Sequence, residues 1–281
     1  MGDAAELAKA EVRATAARFI GDERADALVA LGRTAVRVGA GESDVVVGRL
    51  GGLPALPSDV AWPMVGERPL SFLAELDLLA LAAFDTGLPL PDSGRVLFFY
   101  DWDEQPWGFD PADVTGWQVV FAEDGSAEPT PAPPGATTFA EVTLTAKQAF
   151  TVPGWEEPVI GHLWGRDDPP DEYLEAMAGP EWPEGTDHQI GGWPSLVQGP
   201  IWEECRLVSS GVYAGGMVDR SSAEVRAALD GVDDWVLLFQ IDTDDDAGWM
   251  WGDVGKLYFT AREADLRAGR FDRGWMVLQC G

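Results

Sequence analysis

The chain has 281 residues, 46% of them hydrophobic and 10% aromatic, with 13 tryptophans. That is ample core for one large domain or two smaller ones and too apolar for intrinsic disorder. Its 48 acids against 19 bases leave a formal net charge of −29, a field that repels phosphate backbones and argues against nucleic-acid binding. Basic protein surfaces or divalent ions suit it better, although the same charge also serves plain solubility.

No run approaches the roughly 18 apolar residues of a membrane span, so no membrane partner is expected. The N-terminus, MGDAAELAKAEVRATAARF, is amphipathic without the apolar stretch of a secretory signal. With two cysteines only, Cys205 and Cys280, a single disulfide is conceivable, but a reducing cytoplasm is the simpler expectation.

Residues 3–20 carry apolar positions at helical spacing, and Gly21 separates them from a second helix that Asp22 is placed to cap and Gly32 to stop. Thr34–Val38 and Val45–Val47 read as strands around a Gly-Ala-Gly turn. That G-x-G lacks the third glycine and the helix of a dinucleotide-binding loop. The segment 50–63 is punctuated by glycine and proline. LSFLAEL follows as a strand running into a short helix, and GRVLFFY is a buried strand that empties into the acidic, aromatic DWDEQPWGFDPADV.

Trp117–Phe121 is a further strand, and Glu123–Thr137, with four prolines, is a loop between halves. Phe139–Val152 alternates as a strand, and Asp168–Ala178 is a short helix. His188–Trp202 reads as a Gly/Pro-rich loop, and Ser221–Leu229 as a helix capped by Ser221 or Ser222. Val236–Thr260 holds two strand-like runs joined by a loop with Asp242, Asp244, Asp245, Asp246, Trp249, Trp251 and Asp253. A short helix over Arg262–Ala268 and a strand over Gly274–Cys280 finish the chain.

The halves share an order of blocks. Gly51-Gly52-Leu53-Pro54-Ala55-Leu56 matches Gly191-Gly192-Trp193-Pro194-Ser195-Leu196, and Trp62 answers Trp202. Leu73-Ala74-Glu75-Leu76-Asp77 matches Leu238-Phe239-Gln240-Ile241-Asp242, and Gly94–Phe99 matches Gly255–Phe259. The expectation is a duplicated β-rich unit. Residues 1–33 form a helical segment, and 34–281 form one domain of two repeats (about 34–122 and 139–281) joined by the Pro-rich loop 123–138.

HQIGGWPSLVQGP, LLFQIDTD, MWGDVGKLYF and WMVLQC, together with GRLGGLPALPSDVAWP, LSFLAELDL and LPDSGRVLFFYD, resemble the YwqG-like family, a bacterial domain of unknown function, over about residues 34–281. The resemblance implies an α+β, sheet-rich, mainly antiparallel fold with an internal duplication. It carries no activity.

Asp242, Asp244, Asp246 and Asp253 fall at positions 1, 3, 5 and 12 of an EF-hand count. Ala247 stands where the tight turn needs glycine, and the flanks are strands, so Ca²⁺ is a weak candidate and no other cofactor is expected. His162 and His188 are the only histidines, with no metal-binding spacing. His188 beside Asp187 resembles a general base, yet a histidine bonded to its own loop is the plainer reading. Ser195, Ser209 and Ser210 lack a nucleophile-elbow setting, and Glu203 and Glu204 blunt Cys205.

Trp102, Trp107, His188, Trp249, Trp251 and Asp253 are the candidate ligand-binding residues, because aromatic faces beside carboxylates suit cations or sugars. The bland alternative is that these tryptophans anchor the core. The leading expectation is a non-enzymatic binding module, of immunity or regulatory type, that engages a basic protein. The alternative is a metal- or carboxylate-dependent hydrolase, possibly carbohydrate-active.

Overall fold

A computed structural model of the chain describes residues 2–41, 45–123, 128–164, 169–178 and 186–281. It begins with a helical pair, α1 (Gly2–Ile20) and α2 (Asp22–Ala30). Gly21, at φ 77°, makes the corner between them. Asp22 is the first residue of α2 and does not cap it; its carboxylate pairs with Arg13, which also holds Asp26. Ala16, Ala25 and Leu28 close a small core with Ile160 and Leu163.

The elements that follow are β1 (Arg33–Gly39), β2 (Val46–Leu50), β3 (Met64–Val65), β4 (Arg68–Pro69), β5 (Ser71–Asp77), α3 (Leu78–Leu81), β6 (Arg95–Tyr100) and β7 (Trp117–Ala122). Then come β8 (Val142–Thr151), α4 (Gly161–Trp164), α5 (Asp171–Ala178), β9 (His188–Gly191), α6 (Trp202–Val208) and α7 (Ala223–Ala228). The last are β10 (Trp235–Asp242), β11 (Lys256–Arg262), α8 (Glu263–Arg267) and β12 (Trp275–Gln279). Asp77 accepts from the amides of Leu79 and Ala80 and so turns strand β5 into helix α3. Ser222, not Ser221, caps α7. Of the helix expected over 168–178, residue 168 lies outside the described residues.

Ten strands form one sheet in the order β12-β11-β10-β9-β1-β8-β2-β5-β6-β7, and every pairing is antiparallel. Outward from the central pair β1·β8, the order is β2, β5, β6, β7 on one side and β9, β10, β11, β12 on the other. The sheet curls until its ends meet. Phe98 of β6 lies 5.2 Å from Phe239 of β10 and 5.0 Å from Phe259 of β11. On the end strands, Trp117 stands edge-on to Trp275 at 4.9 Å. The result is a nearly closed, barrel-like sheet, which its right-handed twist favours.

The enclosed core takes alternate residues of each strand, among them Val36, Val38, Leu144, Ile190, Val96 and Phe98. A smaller cluster on the other face packs Phe72, Leu97 and Phe99 under Leu56 and Trp62.

The stretch 188–202, expected as a loop, contains a strand. β9 sits between β1 and β10, fully buried. Two polar side chains, His188 and Gln189, hide its apolar alternation. Gly191 and Gly192, at φ 67° and 73°, turn the chain immediately afterwards. A Cβ on Gly191 would stand 2.1 Å from the Thr86 carbonyl oxygen, so only glycine fits there.

Candidate functional site

The acidic β10–β11 loop is a closed turn. Asp244 and Trp249 exchange backbone hydrogen bonds, and the Asp244 carboxylate accepts the Ala247 amide at 2.8 Å. The indole N–H groups of Trp249 and Trp251 both donate to the Asp242 carbonyl oxygen, each at 3.0 Å. This single acceptor explains how two tryptophans can be buried next to one another, because a buried indole N–H without a partner would cost about 1–3 kcal/mol. Trp249 is 2% exposed and Trp251 0%.

His188 lies beneath the loop, fully buried. Its Nδ1 accepts the Asp242 amide at 3.0 Å, which leaves Nε2 to carry the proton and donate to Asp244 at 2.9 Å. Burial works to raise the Asp244 carboxyl, but the His188 hydrogen bond and the Ala247 and Asp246 amides outweigh it and hold the group below its ordinary range. The Asp242 carboxylate is taken by the amides of Asp187 and Thr243. Asp187 in turn receives Lys256 at 2.6 Å and the Arg37 guanidinium, whose pKa burial lowers to about 10 against the opposing pull of Asp242.

The β6–β7 loop is braced differently. Asp101 is buried and holds Arg68, and Tyr100 donates to the Pro106 carbonyl at 2.9 Å. Asp110 and Asp113 form a capping box at the turn before β7. The Trp107 carbonyl accepts the Leu278 amide at 3.0 Å, and the Gly108 carbonyl accepts the Trp275 indole at 2.7 Å, so this loop straps the outer edge of β12.

The two acidic loops converge. Gln105 donates through Nε2 to the Met250 carbonyl at 3.2 Å and accepts the Gly252 amide on Oε1 at 2.9 Å. Beneath that bridge Trp102 meets Trp251 at 5.6 Å and Phe139 at 5.0 Å, and Phe139 meets Trp249 at 5.2 Å. Gln105 and Val254, one in each loop, are the non-glycine residues with positive φ among those described, at 43° and 51°. Such backbone costs on the order of 1–3 kcal/mol and persists where its surroundings enforce it.

Of the candidate residues, then, His188, Asp244, Trp249 and Trp251 are brought together, but beneath the surface. Trp102 is half-buried in the same aromatic cluster. The loops turn outward with Trp107 (36% exposed), Met250 (46%) and Val254 (62%), among exposed Asp103, Glu104, Asp245, Asp246 and Asp253. Asp246 and Asp253 thus face solvent while Asp242 and Asp244 face inward. Among the described residues no group of three or more His, Cys, Asp or Glu is gathered as a metal would need.

Cys205 is free and fully buried; burial first, and then the Glu204 charge, push its thiol up and remove it as a nucleophile. Cys280 is likewise buried and free. Ser195 belongs to a segment draped over the sheet, its amide bonded to Gln240 and its carbonyl to the Tyr258 hydroxyl.

Three residues carry signals that local sequence patterns hide. Gln105 shows nothing in its own segment of its partner 147 residues away. Glu157 and Glu204 are pushed up to about 7 by burial; for Glu157 the Trp202 indole hydrogen bond opposes the rise.

These features define a sheet-rich, antiparallel α+β protein whose candidate site is a pair of joined acidic hairpin loops. The chain belongs to the family described as a domain of unknown function (DUF1963), whose model matches residues 48–280. No curated protein matches it. Among the described residues, no helix is long and apolar enough to cross a membrane.

Proposed function

We propose that the chain is a non-enzymatic binding module, of immunity or regulatory type, that engages a basic protein with the joined tips of its two acidic loops. The Gln105 bridge carries this reading. It joins two distant segments into one surface on which Trp107, Met250 and Val254 stand among five exposed carboxylates. Apolar anchors inside a charged rim are how protein interfaces are commonly built, and a net charge of −29 steers a cationic partner toward it. The nucleophile and base candidates support the same reading, since Cys205 and His188 are sealed from solvent. Free, buried thiols suit a reducing cytoplasm.

The test is capture of partners by the immobilised protein at low and high salt, beside the variant Asp245→Lys/Asp246→Lys/Asp253→Lys. Capture of basic proteins that is lost at high salt and in the variant supports the reading. Absent or salt-insensitive capture sinks it.

The architecture is that of a YwqG-like member of the family, built as two copies of one five-strand unit, β1-β2-β5-β6-β7 and β8-β9-β10-β11-β12. Contacts at matching positions support this. Arg49 donates to the Leu53 carbonyl where Gln189 donates to that of Trp193. Arg95 reaches the Ala55 carbonyl where Lys256 reaches the Ser195 hydroxyl. Both double glycines are left-handed, Gly51 and Gly52 as well as Gly191 and Gly192.

A further inference from the structure

Arg33, the first residue of β1, is a cation left over. Among the described residues its guanidinium makes no ion pair and no hydrogen bond, and its Nη1 is buried without an acceptor. In a chain of 48 acids and 19 bases, a half-buried arginine with no carboxylate against it is unexpected. The Trp193 ring lies 4.2 Å from the guanidinium carbon and stabilises the charge. Stacking uses only the flat face of the group, while its N–H donors radiate from the edge. Burial lowers the Arg33 pKa, and Glu263 and Glu157 oppose that from beyond contact distance. The group stays charged, so its edge offers donors to an anion.

Arg33 lines a cavity of about 710 Å³ bounded by α1, the start of β1, the turn 85–88 and the start of α8. Leu88, Phe150 and Val236 give the cavity an apolar wall. Its other charged side chains are Lys9, 5.9 Å from the centre of the Phe150 ring, and the exposed carboxylates of Glu6, Asp85 and Glu263. Arg33 is half-buried and the three carboxylates are exposed, so the cation lies in the wall and the acids at the mouth. A phosphate or dicarboxylate would carry two negative charges past those acids. A simple fatty or aromatic acid would leave them unmatched. One carboxylate with two cationic groups matches the whole lining, since three acids exceed the single lysine of the mouth by two.

We infer that this cavity binds a free basic amino acid, lysine or arginine. The ligand carboxylate accepts from the Arg33 guanidinium, the pairing that the planar fork of arginine favours. Its aliphatic stem lies on Leu88, Phe150 and Val236. Its α-ammonium and side-chain cation meet Glu6, Asp85 and Glu263. None of the loop-tip residues lines the cavity, so this site and the binding surface proposed above can fail separately.

The test is calorimetric titration of L-lysine into the full chain, with the thermal unfolding midpoint as a second readout. Saturable binding and a raised midpoint are expected. Cadaverine, which keeps both cations of the ligand and lacks the carboxylate, should not bind. Norleucine loses the side-chain charge and Nα-acetyl-lysine the α-ammonium, and each should bind about tenfold more weakly or worse. Arg33→Gln should abolish lysine binding. Asp85→Asn/Glu263→Gln changes exposed positions only, leaves the fold intact, and should weaken lysine by about tenfold or more. Asp245→Asn/Asp246→Asn/Asp253→Asn should bind lysine as the parent does. No binding at millimolar lysine, equal binding of cadaverine, or undiminished affinity in either cavity variant would each overturn the inference. Equal binding of Nα-acetyl-lysine would overturn it too, by assigning the cavity to the C-terminus of a peptide.

Discussion

His188 Nε2 donates to the Asp244 carboxylate at 2.9 Å while His188 Nδ1 accepts the Asp242 amide, so one buried ring ties β9 to the turn that closes β10. The arrangement looks like half of a catalytic pair, but the ring is fully buried. Its work is to set the loop, and through the loop the positions of Trp249 and Trp251.

Replacing Asp244 with alanine should therefore destabilise the protein by about 1–3 kcal/mol in urea unfolding, since the imidazole N–H is left unpaired in the interior. Asp244→Asn, which keeps an acceptor oxygen, should cost less at neutral pH. Because the folded carboxyl is held below its unfolded value, its contribution is present above that value and disappears as pH falls through the folded one. The parent's advantage over Asp244→Asn should accordingly shrink below about pH 4.

Glu157 behaves in the opposite sense. Burial raises its folded pKa to about 7, so the folded state holds its proton more tightly than the unfolded chain. The stability this contributes is full below the unfolded carboxylate value and is lost as pH rises through about 7. Glu157→Gln, which still accepts from the Trp202 indole, should remove that loss. Urea midpoints of parent and variant measured from pH 5 to pH 8.5 should diverge upward in the variant's favour, by on the order of 3 kcal/mol at the top of the range.

Gln105→Gly keeps the left-handed backbone and deletes the bridge to Met250 and Gly252. Two hydrogen bonds are lost, worth about 0.5–1.5 kcal/mol each, while relief of the left-handed strain returns about 1–2 kcal/mol. The net change should lie between a gain of about 1 and a loss of about 2 kcal/mol. Capture of a basic partner should weaken clearly. An unchanged capture would remove the bridge from the binding surface.

Gly108→Ala forces a Cβ against the Met276 carbonyl at a φ of +87°. The strap over β12 should lift, with a loss of about 1–3 kcal/mol or more and faster amide exchange at Leu278. Chemical denaturation and exchange mass spectrometry read the two effects separately.

The central strands exchange sides. β1 pairs with β8 and β9, and β8 with β1 and β2. Cleaving the chain between Glu123 and Glu128 should leave two fragments that are each unfolded alone, because each lacks the strand that covers its second one. Mixed, they should regain the native circular dichroism spectrum. A fragment that folds by itself would contradict the exchange.

Much of the fold is legible in the sequence where strands are uniformly apolar. Leu97, Phe98 and Phe99 on β6, or Leu237, Leu238 and Phe239 on β10, announce buried strands whatever surrounds them. β9 is missed because His188 and Gln189 are polar yet fully buried; their partners, Asp244 for one and the Gly191 and Trp193 carbonyls for the other, come from the fold. The same holds for Asp22, which looks like a cap until Gly21 and Arg13 settle its place.

By itself, the sequence determined the kinds of element, the β-rich character, the acidic charge and the positions of the two loops. These are local properties, written in side-chain alternation, turn residues and charge. Only the tertiary structure decided which way the tryptophans face and that the loops meet. A tryptophan beside aspartates is equally at home on a surface or in a core. Here the Asp242 carbonyl receives both indole N–H groups, and the curl of a ten-stranded sheet brings Gln105 to Gly252. Both depend on contacts between segments far apart in the chain, which no local pattern records.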